Sequence, residues 1–99
     1  MKNFRTLNLA IEFYHQAKNL KLPGPLNNQF QRALLSIPLN LSEGSAKPTA
    51  KDRARFYHIA LGSLREVQTL LRLIDNQSLQ QKADLIGAHL YKLCKYTAP

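Results

Sequence analysis

The chain has one cysteine, no tryptophan, four glycines and six acidic residues in 99, and each shortage removes a class of protein. Its single cysteine, Cys94, allows no intrachain disulfide and no cysteine-built zinc or iron–sulfur site, and it fits a reducing compartment. None of the glycines has the spacing of a phosphate-cradling loop, so nucleotide hydrolysis has no motif to rest on. No stretch alternates with period two and no Asn-Gly or Asp-Gly turn is present, so strands and hairpins are not expected. Long apolar runs are missing too. The uncharged run 33–42 is about half a bilayer span and contains Pro38. The apolar stretch near the N-terminus is interrupted by Asn8 and Glu12, unlike a signal-peptide core. These absences point to a soluble, cytoplasmic protein with no membrane partner.

What the chain does have is positive charge. Fourteen Lys and Arg against six Asp and Glu leave +8, which favours polyanions or acidic proteins as partners. Apolar residues make up 44%, enough for a core. A chain this short buries a modest fraction of its surface, which raises the weight of self-association. One domain over 1–99 is expected.

Breaks fall at Pro23-Gly24-Pro25, at 44–48 and at Asp75-Asn76-Gln77-Ser78, dividing the chain into four segments. Each segment repeats apolar residues at helical spacing, as in Leu7, Ala10, Ile11, Tyr14 and Ala17, or Tyr57, Ala60, Leu61, Leu64, Val67 and Leu71. The predicted helices run about 4–21, 25–43, 50–75 and 78–95. Pro25 suits a first helical position, Gly44 the residue after an end, and Thr49 and Ser78 suit caps. Pro38 is expected to kink the second helix without breaking it. The fold class is all-α, an antiparallel up-down four-helix bundle. The first and third helices carry second apolar stripes, including Phe13 in one and Phe56, Ile59, Leu70 and Leu73 in the other. Those stripes fit either a subunit interface or a wide core-facing surface.

Candidate chemistry is thin. His15, His58 and His89 lie on different helices with no metal-ligand spacing, so no metal and no cofactor is expected. No serine has the context of an activated nucleophile, and Glu43 and Glu66 as a carboxylate pair would need a larger cleft than a small bundle offers. A non-enzymatic protein is expected.

The spacing of cations is more informative. Lys51, Arg55, His58, Arg65 and Arg72 follow steps of four, three, seven and seven, which place them on one face of the third helix. At 1.5 Å per residue the stripe is about 30 Å long, enough to follow several phosphates of RNA or DNA. Thr69 lies on the same line, Gly62 leaves a gap in it, and Lys47 and Arg53 are expected to thicken its N-terminal end. Cations at a helix start oppose the macrodipole, so a ligand is one reason for Lys47, Lys51, Arg53 and Arg55 to cluster there. The alternatives are a solvated face or a scaffold surface that docks an acidic protein. No base-reading module is recognisable, so binding would follow shape and charge.

Two stretches stand out beyond their composition: Ser36-Ile37-Pro38-Leu39-Asn40-Leu41-Ser42-Glu43-Gly44, and Phe56-Tyr57-His58-Ile59-Ala60-Leu61-Gly62-Ser63-Leu64-Arg65-Glu66. Together with Gln29 and Arg32-Ala33, they make the chain resemble the four-helix-bundle family of 23S rRNA intervening-sequence proteins. That family pairs S-I-P-x-N-x-x-E-G at the end of its second helix with A-L-G-S-x-x-E in its third. The resemblance implies a bundle assembled as a ring-shaped homopentamer. It also implies kinship with the accessory variability determinant of diversity-generating retroelements, a basic barrel that binds nucleic acid and its partner reverse transcriptase. The chain departs from the pattern at Ser45-Ala46-Lys47-Pro48-Thr49, where an aromatic-Gly-basic sequence is more usual. Read physically, Ser36, Asn40 and Glu43 share one helical face, and Ser63 and Glu66 share another. If those faces meet, they form a polar network that sets the register of the two helices, with Arg32 placed to neutralise a carboxylate.

Overall fold

In the computed structural model, which describes residues 4–97, the chain forms four helices: α1 (Phe4–Ala17), α2 (Leu26–Ser45), α3 (Ala50–Leu73) and α4 (Gln77–Thr97). No strand occurs among the described residues. Each helix packs on its neighbour in sequence, and α4 returns to α1 to close the square. Along each pair of bonded helices the residue numbers rise on one helix as they fall on the next, as in Ser45 with Tyr57 and Ser36 with Ser63. Gln68 likewise meets Asp84, and Gln80 meets Leu71, so α2, α3 and α4 run antiparallel. The core comprises Phe13, Phe30, Leu34, Ile37, Leu41, Tyr57, Leu64, Val67, Leu71 and Leu90 with their neighbours.

The ends differ from the predicted boundaries for local reasons. Helix α1 stops at Ala17 rather than near 21, where Leu20 N–H donates to the Ala17 carbonyl. Gln31, reaching from α2, donates Nε2 to the carbonyls of Lys18 and Leu20, replacing bonds that a longer α1 would have made. Pro25 sits outside α2 as its cap residue, not at the first helical position. Helix α2 continues through Pro38 to Ser45, so the proline does not break it. Gly44 is therefore a buried helical residue and not the one after the end. A methyl group there would lie 2.7 Å from Tyr57 Cε1 and 3.0 Å from Phe56 Cβ, so the glycine is what lets α3 approach.

Thr49 caps α3 as expected, its Oγ1 accepting from Asp52 N–H. The far end of α3 closes with Asp75 at φ 56°. Asp75 N–H donates to the Arg72 carbonyl and Asn76 N–H to the Leu71 carbonyl, the bond pair of a Schellman ending. The cap of α4 is Asn76, whose Oδ1 accepts from Leu79 N–H, and not Ser78.

The second apolar stripes divide. On α1, Phe13 is buried and Leu9 half-buried against the core. On α3, Leu70 is buried and belongs to the core, whereas Ile59 and Leu73 remain exposed. The outward face of α2 adds exposed Leu35 and Leu39. No helix among the described residues is long and apolar enough to cross a membrane.

Candidate nucleic-acid interface

Helix α3 packs against both α2 and α4, and its buried residues, Ala60, Leu64, Val67 and Leu71 among them, point to the bundle centre. By helical periodicity the opposite face carries the cationic stripe. Lys51, Arg55, His58, Arg65 and Arg72 are all exposed there, as are Gly62 and Thr69 on the same line. None of the four Lys and Arg is ion-paired. Among the described residues the only ion pair joins Lys47 to Glu43, 3.8 Å apart. Arg65 Nη1 donates to the neutral Gln68 Oε1 at 2.9 Å, and Arg55 lies 4.8 Å from the centroid of the Phe56 ring. Both contacts orient a guanidinium without neutralising it.

The two cations expected to thicken the N-terminal end of the stripe are placed differently. Arg53 lies on the far side of α3, and its Nη1 donates to the carbonyls of Lys47 and Pro48, both at 3.1 Å. It serves as a brace on the α2–α3 connection. Lys47 is half-buried between Glu43 and the Phe56 ring, 5.1 Å from the ring centroid, and Arg55 contacts the same ring, so Lys47 lies beside the N-terminal end of the stripe with one exposed ion pair.

The motif residues come together in part. Ser36 Oγ and Ser63 Oγ are 2.7 Å apart across α2 and α3. Asn40 Nδ2 donates to the Ser36 carbonyl and to Ser36 Oγ, both at 2.9 Å. These three half-buried residues form the register lock between the two helices. Glu43 is exposed and turns to Lys47 instead of joining them. Arg32 and Glu66 face each other across an open groove of about 390 Å³, lined also by Gln29, Ser36 and Ser63, with no ion pair between them. The predicted six-residue network is thus a three-residue core with its charged members outside it, because the longer side chains reach water past the seam.

The seam of α3 with α4 was not foreseen as part of the face. Gln68 Nε2 donates to Asp84 Oδ1 at 2.9 Å and so continues the Arg65 contact onto α4. About two to three turns from Gln68 toward the other end, His58 and Leu61 of α3 meet Tyr91, Cys94 and Lys95 of α4 around a pocket of about 310 Å³. Cys94 forms its buried floor, and burial pushes its thiol pKa up, so it stays an uncharged apolar filler. Once Gln68 is matched to Asp84, the antiparallel register places His58 opposite Cys94, and the pair Tyr91 and Lys95 one turn apart could have been found that way. His15 packs edge-on to Tyr14. No group of three His, Cys, Asp or Glu residues is arranged to hold a metal among the described residues.

Compared with known proteins, residues 4–97 match the family model described as 23S rRNA-intervening sequence protein. No curated protein matches the chain.

Proposed function

The chain belongs to the 23S rRNA-intervening sequence protein family, and we propose that it is a non-enzymatic, self-assembling bundle that binds RNA or DNA through backbone phosphates. The observation that carries this reading is the outward face of α3. Four exposed Lys and Arg with no carboxylate partner lie along about 30 Å of one helix. A nucleic acid carries condensed cations along its phosphates, and unpaired Lys and Arg that neutralise those phosphates release the cations and so drive association. The family's name, with its 23S rRNA, favours RNA among the polyanions. The resemblance to retroelement accessory proteins extends the reading to a role beside a ribonucleoprotein or a reverse transcriptase.

Self-assembly is part of the same proposal, as a homopentameric ring. Its support is the exposed apolar surface of α2 and α3, with Leu39 at 58% and Leu73 at 65% exposure beside Leu35 and Ile59. Side chains of this size left in water on adjacent helices are a common mark of a subunit contact.

A competition assay tests the choice between nucleic acid and acidic protein. Labelled structured RNA is bound to the wild-type chain, then challenged with unlabelled RNA or with polyglutamate at equal charge. The proposal predicts displacement by RNA at concentrations at least about tenfold below polyglutamate, since phosphate spacing adds to bare charge. Equal displacement, or binding of polyglutamate alone, makes the face a dock for acidic proteins.

A further inference from the structure

We propose that the α3–α4 seam holds a pocket for one unpaired nucleobase, so that a single strand or an open loop gains a contact that a continuous duplex, held by its phosphates alone, does not make. This rests on the phosphate-binding reading of α3 and adds a site to it.

The pocket combines features that a solvated helix surface has no need of. Tyr91 is 54% exposed on α4, a large aromatic residue left largely in water. Beneath it lie Leu61, half-buried, and Cys94, buried and uncharged. Two walls are polar, the His58 imidazole on α3 and the Lys95 ammonium on α4. Along α3 the stripe continues past the pocket in both directions, with Arg55 on one side and Arg65 on the other, each exposed. Gly62, adjacent in sequence to Leu61, has nothing within 4 Å of where its side chain would be, so a ligand backbone is able to approach there.

The occupant must satisfy an apolar floor and a cationic rim together. An apolar helix of a second protein would take the Lys95 ammonium out of water with no counter-charge opposite it. A small anion would leave the Tyr91 ring and the floor unused. A nucleotide within a strand has a flat, weakly polar base and anionic links on both sides, which matches the layout. Stacking of bases on tyrosine between cations is the common mode of single-strand binding, and it tolerates sequence because every base has a π-face. In a duplex the base faces are covered by their neighbours and cannot reach the floor.

The test compares a labelled 12-nucleotide oligoadenylate with a 12-base-pair duplex at one salt concentration, using wild type, Tyr91→Leu and Tyr91→Phe, with mass followed by light scattering. Tyr91→Leu is expected to weaken oligoadenylate binding by about tenfold or more, given ~1–3 kcal/mol per stacked base, and to leave duplex binding within about twofold. Tyr91→Phe is expected to bind like wild type. If Tyr91→Leu binds oligoadenylate as wild type does, or loses single strand and duplex equally, the base pocket is wrong. A change in particle mass overturns it as well, by making the ring a subunit contact. If wild type binds neither probe, the phosphate reading fails and takes the pocket with it. If only the Tyr91 result is negative while reversing the α3 cations abolishes binding, the phosphate surface stands alone.

Discussion

Gly44 illustrates how one residue sets the distance between two helices. It sits inside α2, where glycine costs about 1 kcal/mol of helix stability relative to alanine, yet a methyl group there would collide with the Tyr57 ring and the Phe56 Cβ. The Tyr57 ring is buried in the core, so moving it disturbs the residues packed around it. Gly44→Ala is therefore expected to lose about 1–3 kcal/mol net, because overpacking outweighs the propensity gain. Thermal unfolding checks this. At this chain length 1 kcal/mol moves the midpoint by about 4–8 °C, so a midpoint that rises instead would contradict the packing account. Spacing alone reads Gly44 as a helix end, since glycine serves both purposes. What decided between them was Tyr57, thirteen residues away and out of reach of any local rule. Arg53 shows the same limit. Its place in a cluster of cations was legible, but its commitment to the carbonyls of Lys47 and Pro48 depends on how the connection folds back.

At the scale of elements, the helices were legible because their apolar residues recur at three and four throughout, and their ends were less so. Three ends are set by side chains from elsewhere or by an unusual backbone. Gln31 from α2 finishes α1, Asp75 at positive φ closes α3, and Asn76 displaces Ser78 as the cap of α4. The register of α2 on α3 was partly legible. Ser36, Asn40 and Ser63 lock as their spacing predicted, whereas Glu43 and Glu66 have side chains long enough to stay in water.

Helix α3 also contains the one internal glycine with no neighbour, Gly62. Nothing in the single chain requires it, so Gly62→Ala should raise stability by about 0.8–1 kcal/mol through helix propensity. It should also weaken RNA binding by narrowing the approach to the stripe. Denaturant unfolding, paired with an RNA titration of the same preparation, measures both. Greater stability with undiminished binding would show that the ligand does not come close at Gly62.

For the whole molecule, the arrangement separates functions by face. The bundle centre is apolar, the α2–α3 seam holds the serine and asparagine lock, α2 turns Leu35 and Leu39 outward, and α3 turns its cations outward. The cationic face was legible from the intervals of four, three and seven, because a helix converts such intervals directly into a line. The Tyr91 pocket was not, because it draws on two helices whose relative register only the fold supplies. The net charge of +8 is the coarse sign of this arrangement, but a variant of equal net charge with its cations elsewhere should not reproduce it.

The most direct test of the central claim compares wild type with a Lys51→Glu, Arg55→Glu, Arg65→Glu, Arg72→Glu variant in RNA titrations across a salt series, with particle mass followed in parallel. Phosphate contact by α3 predicts that wild-type affinity falls steeply with salt. The variant should keep the wild-type mass and lose binding, and single reversals should each lower the slope of log affinity against log salt by about one. A variant that retains both the affinity and the slope of wild type would contradict the account, and would place the binding surface on another face of the bundle.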